Sequence, residues 1–480
     1  MAEDDQAKVQ RRGRVWRRGA AGVGIGVVLL ILLHRPILLA IGRQIALRYA
    51  AKQNLKADFR VEGNPFSHVA IHNLRAFAVG PSGIESIDID YLYLDYNLLG
   101  FARHGLPHLF NDVKARSARI VLNPSKTPLR PRPPKPRLRL PRFFPEKIRL
   151  TDATLVVRNQ PNDFVVEHAD LELNPRHPGD LRIETLQLPS GDNWSRISGQ
   201  TSYINKELVL RDFVLTDQAQ LHLLNIDASR IDNNALAINL NCTVGGGQLS
   251  ASAGLTETQS SLDAKIKVAA EKVASESLNK FLILPENYLS GEIERLVLDC
   301  SGVIDAARTW NGTMSLQISN VRQPQIAFDR GVVELSAEHG RAILRSADIA
   351  QDVNEFHVRG SIELPATFQD FGRAPTSFEI SGTAPDLERL TAGIPVGLTG
   401  SAQFTGKLDI ADATVQATLG VNAAAVGFQD GIIDKLNCTL RASKRIARSD
   451  TKRPWFADLR TAMEFNLTGL RYRDYIGRLN

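Results

Sequence analysis

Strict alternation of apolar and polar residues, run after run, is the feature that most constrains this chain. In "LDAKIKV", Leu262, Ala264, Ile266 and Val268 fall on one side of an extended strand and Asp263, Lys265 and Lys267 on the other. "LAINLNCTV" repeats the pattern with Leu236, Ile238, Leu240, Cys242 and Val244, "MSLQI" with Met314, Leu316 and Ile318, and "ATVQATLGV" with Ala413, Val415, Ala417, Leu419 and Val421. A helix would scatter such residues around its axis. Strands with one apolar and one wet face belong to antiparallel sheets.

Something must cover the apolar face or be carried on it. Helical cover is scarce: the two candidates, "SESLNKFLI" near 275–283 and "DLERLTAGI" near 386–394, are short. Aromatic residues make up 6% of the chain, low for the core of a sandwich this long. From alternation alone, the face either closes on itself as a sandwich or lines a groove. Missing helices and scarce aromatics favour the groove.

The same short helices expose a repeat. "SESLNKFLILPENYLSGEI" aligns with "PDLERLTAGIPVGLTGSA", Leu278 with Leu387, Phe281 with Leu390 and Gly291 with Gly400. Downstream "FDRGVVEL" aligns with "FQDGIIDKL", Phe328 with Phe428 and Gly331 with Gly431. A unit of roughly a hundred residues, near 275–345 and again near 385–445, points to an extended β architecture instead of a compact catalytic domain. The strand pattern continues to the last residues, "MEFNLTGLRYRDYIGRLN", so either the last strand is an edge or the sequence is a fragment of something longer.

Positive charge is concentrated in two places. The net charge is +6, and the excess sits in residues 1–60 and in the Pro-rich segment 123–149, leaving the rest net acidic. A nucleic-acid-binding body is not expected from that distribution. Residues 1–18 read as a basic cytoplasmic tail. Residues 19–42 read as a transmembrane signal anchor, since 20–42 as a helix reaches about 34 Å against a hydrocarbon core of roughly 30 Å. A cleaved signal peptide is the alternative, with a poor small-x-small site. Basic residues nearly tie on the two sides of the span, and their density between Arg11 and Arg18 favours a cytoplasmic N-terminus. Residues 43–122 then read as a basic membrane-proximal helix and first strands, 123–147 as a Pro/Arg-rich loop, and 148–480 as the repeated β modules.

Chemistry finds no foothold. No metalloprotease, P-loop, nucleophile-elbow or dinucleotide motif occurs. His68 with His72 and His104 with His108 have helical metal-ligand spacing but stand in strand or loop context. Gly245–Gly247 reads as a hairpin turn, and Asp88 and Asp90 as a wet strand face. Cys242, Cys300 and Cys438 are in register with apolar neighbours and read as small buried hydrophobes; a Cys242–Cys300 disulfide is the alternative. We expect no enzyme activity, no metal and no cofactor.

With the anchor, "NPFSHVAIHNLRAFAVG", "IESIDIDYLYLDYNLLG", "ARIVLNP", the Pro-rich basic insertion leading into "EKIRLTDATLVVRN", and the repeated helix then Leu-x-Gly unit, the chain resembles the AsmA-like family, which includes TamB. The resemblance implies a mostly β fold: an elongated antiparallel sheet curled into an apolar groove, with an N-terminal transmembrane helix and short helices between repeats. It implies a bacterial inner-membrane protein with its body in the periplasm, handling phospholipids between membranes or assisting assembly with an outer-membrane protein as partner. On that reading Leu240, Leu262, Ile266, Val268, Leu298, Leu316, Ile318, Val415 and Leu419 line the lipid groove. Arg137, Arg139, Arg142, Phe143 and Phe144 of the Pro-rich loop meet the membrane surface, or else belong to a merely solvated loop.

Overall fold

The structure is a computed structural model and describes residues 35–98, 109–126, 145, 147–159, 162–258, 261–279, 290–322, 327–391, 397–428, 431–445, 459–472 and 475–479. It is almost wholly strand, 24 in all among the described residues, with a helix over 35–52 and two short helices, Ser275–Asn279 and Leu387–Leu390. No helix among the described residues is long and apolar enough to cross a membrane. Most of the expected anchor, 19–34, lies outside the described residues, as do Arg137, Arg139, Arg142, Phe143 and Phe144.

The chain folds as two compact units divided at Arg196. The first holds β1 (Leu55–Asn64), β2 (His68–Ala78), β3 (Ile84–Tyr96), β4 (Phe110–Leu122), β5 (Lys147–Val157), β6 (Phe164–Leu173) and β7 (Gly179–Gln187), paired in succession from β1 to β7. One pairing departs from the expected antiparallel sheet. β4 and β5 run parallel, from Asp112 opposite Lys147 to Leu122 opposite Val157. Parallel neighbours require the chain to return along the strand length before pairing again, which takes about a dozen residues or more. β5 starts at Lys147, the last residue expected in the Pro/Arg-rich segment, most of which lies outside the described residues.

The alternation of this unit changes phase midway. Ile87 and Ile89 share the inner face with Ala118 and Leu74, whereas beyond Asp90 it is Leu92 that packs there, with Ala115 and Leu150. Asn73, Ser117 and Asp152, at the same level on neighbouring strands, have φ of 50°, 50° and 57°. Each left-handed residue lets its strand switch faces without breaking the ladder.

The second unit begins within β8 (Asn193–Ile204), at Ile197, and runs to β24 (Tyr475–Leu479) in one unbroken antiparallel meander, every strand paired with the next. Several hairpins close through two residues that both have positive φ: Asn205–Lys206, Gly245–Gly246, His339–Gly340 and Asp412–Ala413. Such turns match the right-handed twist of the strands they join. Ala413, expected inside a strand, sits in the last of these turns, and its strand starts at Thr414.

Candidate functional site: an apolar sheet face

Register assembles the alternating residues of the second unit into continuous rows. Leu240 lies opposite Ala251, Ala251 opposite Val268, Val268 opposite Leu298, and Leu298 opposite Met314. The row continues through Leu335, Leu344, Gly360, Phe378, Leu408 and Ala417 to Ala442. A second row, two residues along, joins Ala270, Leu296, Leu316, Val333, Ala347, Val358, Ile380, Gly406, Leu419 and Leu440. On the other flank Ile266, Cys300, Gly312, Ala337, Ala342, Ile362, Thr376, Ile410 and Val415 form a third, which ends against Lys444. From β11 (Ala235–Val244) to β22 (Gly431–Arg445), at the usual strand spacing, these rows run for roughly 50 Å along the sheet.

Eight of the nine expected groove residues fall on this face: Leu240, Val268 and Leu298 in the first row, Leu316 and Leu419 in the second, Ile266 and Val415 in the third, and Ile318 in a fourth with Ile293. Leu262 stands at the ladder end opposite Glu257, on the margin of the array. All nine are half-exposed, none buried. In a sandwich, inward residues at mid-strand would be the most buried in the molecule.

Burial is instead concentrated at the strand ends. Along one margin, Val273 and Ala384 are 0% exposed, and the helix Leu387–Leu390 sets Leu387 against Ala384, Ala402, Ala423 and Val426, with Phe356 and Phe404 beside them. Asn354, itself fully buried, fixes this helix by donating its Nδ2–H to the Asp386 carbonyl at 2.9 Å and accepting the Asp386 N–H at 3.1 Å. Asp386 then caps the helix by accepting the Arg389 N–H. At the opposite margin Ala307, Leu364 and Ala374 are buried. There the Trp310 ring meets Phe368 edge-on, with centroids 6.2 Å apart, and its indole N–H donates to the Val303 carbonyl at 2.9 Å. Both margins are thus finished by short helical turns, and among the described residues no element lies along the rows between them.

The aligned repeats share local geometry. Gly291 and Gly400 both have positive φ, and each faces a left-handed residue on the next strand, Asn320 and Ala425, through which Val321 and Val426 return to the apolar face. Phe328 and Phe428 both lie over a glycine three residues on, Gly331 and Gly431. Rings lying flat over glycines recur at Phe356 over Gly382, Phe378 over Gly360 and Phe213 over Gly199. A ring laid down on a glycine adds apolar area without projecting from the face. Alternation of apolar and polar residues does not single out this arrangement; its signature in the sequence is Gly at period two opposite Phe.

The opposite face is wet, with cross-strand ion pairs such as Lys267–Asp299 at 2.8 Å. Of the polar arrays, Ser117, Asp152 and His168 come nearest to a catalytic set, the Ser117 hydroxyl donating to Asp152 at 3.2 Å and His168 Nδ1 lying 2.6 Å from it. The carboxylate is in the middle, so the imidazole is not placed to take the serine proton. The same contact holds the Asp152 carboxyl below, and the His168 imidazole above, its ordinary range. No group of three His, Cys, Asp or Glu residues is placed to hold a metal among the described residues.

The three thiols are free, Cys242 buried and Cys300 and Cys438 half-buried on the apolar face, in place of three buried hydrophobes. Burial pushes the Cys242 and Cys300 thiols up, with Asp299 adding to the effect at Cys300. Near neutral pH we expect an uncharged, hydrophobic maleimide to label Cys300 and Cys438 well ahead of a charged thiosulfonate, with Cys242 labelled only on unfolding. Peptide mass spectrometry reads this directly, and equal labelling of all three by the charged reagent would contradict the placement.

Comparison with known proteins returns no matching family model, no matching curated protein and no matching solved structure.

Proposed function

We propose that this is a non-enzymatic lipid-handling protein of the bacterial envelope, of the AsmA-like and TamB type, anchored at the inner membrane with its body in the periplasm. The apolar face of the second unit shields phospholipid acyl chains and conducts them toward the outer membrane. The observation that carries the reading is the unbroken row of apolar, half-exposed residues that face one another from Leu240 on β11 to Ala442 on β22, with two largely apolar rows beside it from β13 (Leu262–Ala274) onward. Each methylene removed from water is worth about 0.8 kcal/mol. A two-chain lipid therefore faces roughly tens of kcal/mol on leaving a bilayer unshielded, and a path for it must be apolar without gaps. Side chains left half-exposed supply that surface. No cofactor is called for.

Photo-crosslinking tests the reading. Benzoylphenylalanine at Ile266, Leu316 or Val415 is expected to capture phospholipid, whereas at Lys265 or Gln416 it captures none. Lipid adducts confined to the polar positions would sink the proposal. A second reading, a scaffold that binds an outer-membrane protein during assembly, is favoured by Met463 and Phe465 on β23 (Arg460–Tyr472), 62% and 53% exposed where the apolar face reaches its last long strand. Protein adducts at those two positions, with no lipid at the mid-face ones, select it.

A further inference from the structure

The polar side of the first unit carries an apolar and basic corner that the conduit reading does not use. Arg43 orients the helix over 35–52, donating from Nε to the Phe59 carbonyl and from Nη2 to the Asp58 carboxylate, both at 3.0 Å. Ile41 and Ile45 lie two residues either side of Arg43, about 200° around the helix from it. They continue one stripe, Ile37, Ile41, Ile45 and Tyr49, in which every side chain is more than half exposed.

At the end of this helix the backbone turns through Asn54, with φ 59°, into β1. The Val79 N–H donates to the Asn54 carbonyl at 2.8 Å and the Asn54 amide donates to the Pro81 carbonyl at 2.8 Å, which brings the end of β2 to the same corner. Phe77 and Val79 are 50% and 63% exposed there, and Lys56 Nζ is 5.9 Å from the centre of the Phe77 ring. Arg48, Lys52 and Lys56 have no ion-pair partner among the described residues, while the nearby acids Asp58 and Asp88 are paired with Arg43 and Arg75.

Exposed aliphatic and aromatic side chains interleaved with unpaired lysine and arginine are the composition of segments that lie in a bilayer interface. Protein interfaces, by contrast, are depleted in lysine. We propose that this corner is a membrane-surface site for anionic phospholipid headgroups, with Tyr49, Phe77 and Val79 dipping below them and Lys52 and Lys56 at their level. The inference stands apart from the conduit reading, since it concerns the first unit alone.

The test uses the full chain in phosphatidylcholine vesicles with and without phosphatidylglycerol, carrying benzoylphenylalanine at Phe77 or Val79. Lipid adducts are expected at both positions, stronger with phosphatidylglycerol, and absent at Val214, an equally exposed position in the second unit. Lys52→Glu with Lys56→Glu is expected to reduce the phosphatidylglycerol-dependent adduct more than tenfold, about fivefold for each lysine at an anionic surface. Capture of lipid at Ile266 stays unchanged in that variant, so failure here and failure of the conduit reading are separable. The readout is local contact and does not depend on what else holds the chain to the vesicle. No lipid adduct at Phe77 and Val79, adducts indifferent to lipid charge and to both reversals, or adducts to protein would each overturn the site.

Discussion

Leu316→Asp is expected to abolish phospholipid loading while leaving the fold in place. Leu316 stands mid-strand in a row between Leu296 and Val333, with Leu298, Met314 and Ile318 in the flanking rows. In the proposed function a carboxylate there would meet acyl chains, and stripping water from an ionised group costs several kcal/mol even after relaxation. Every 1.4 kcal/mol is a factor of ten, so lipid co-purifying with the variant should drop at least tenfold. The unloaded fold has less at stake, because the position is half-exposed and the introduced charge keeps its water when no lipid is bound. We expect a cost of about 1–2 kcal/mol, within the usual range for point substitutions. Gln317→Asp, one residue along and on the wet face opposite Arg295, is the matched control and should load normally. Mild acid should restore loading to Leu316→Asp, since desolvation favours the protonated carboxyl, and should do nothing for Gln317→Asp. Native mass spectrometry at two pH values reads all four states. Full loading of Leu316→Asp at neutral pH would overturn the proposal that the apolar face carries lipid.

The period-two pattern carried the strand faces of the second unit almost completely, because register in a meander with two-residue turns is set locally. Once "LDAKIKV" puts Ile266 and Val268 on one side, the hairpin geometry delivers Cys300 and Leu298 opposite them. Three features were less legible, each for a physical reason. The parallel pairing of β4 with β5 depends on where a long crossover returns, and nothing local in "ARIVLNP" or "EKIRL" encodes that. The phase change at Asp90 was written in the sequence, as Ile87 and Ile89 at odd positions followed by Leu92 and Leu94 at even ones, but reading it requires recognising Asn73, Ser117 and Asp152 as left-handed residues. The half-exposed state of the face was beyond alternation altogether, since a sandwich and an open face have the same period. What separates them is burial, highest here at the margins and lower at mid-strand.

That division between margin and middle gives the glycines their weight. Gly382→Val is expected to loosen β18 (Asn354–Glu363), β19 (Thr376–Ala384) and β20 (Leu398–Ala411) together, although valine is the better strand former. A Cβ at Gly382 would lie 2.5 Å from Phe356 Cδ1 and 2.8 Å from the Glu355 carbonyl oxygen. The ring cannot swing clear without cost. It packs on Phe404, with centroids 5.9 Å apart, and on the cluster that seats Leu387 at the margin. The carbonyl belongs to the backbone of the neighbouring strand and yields only if the ladder shifts. Overpacking of this kind costs about 1–3 kcal/mol, more where backbone must move. Gly254→Val provides the contrast, because a Cβ there meets nothing within 4 Å, and the substitution should be neutral or stabilising by up to about 1 kcal/mol. A meander in which each strand contacts chiefly its neighbours need not unfold in one step, so a global midpoint is the wrong observable. Hydrogen exchange resolves the effect instead: amides from Asn354 to Ala411 should exchange at least tenfold faster in Gly382→Val, with β12 (Gly247–Glu257) and β13 (Leu262–Ala274) unchanged. Uniform protection in both variants would mean that Phe356 has room to move, and that the rings lying over glycines contribute area to the face without fixing its shape.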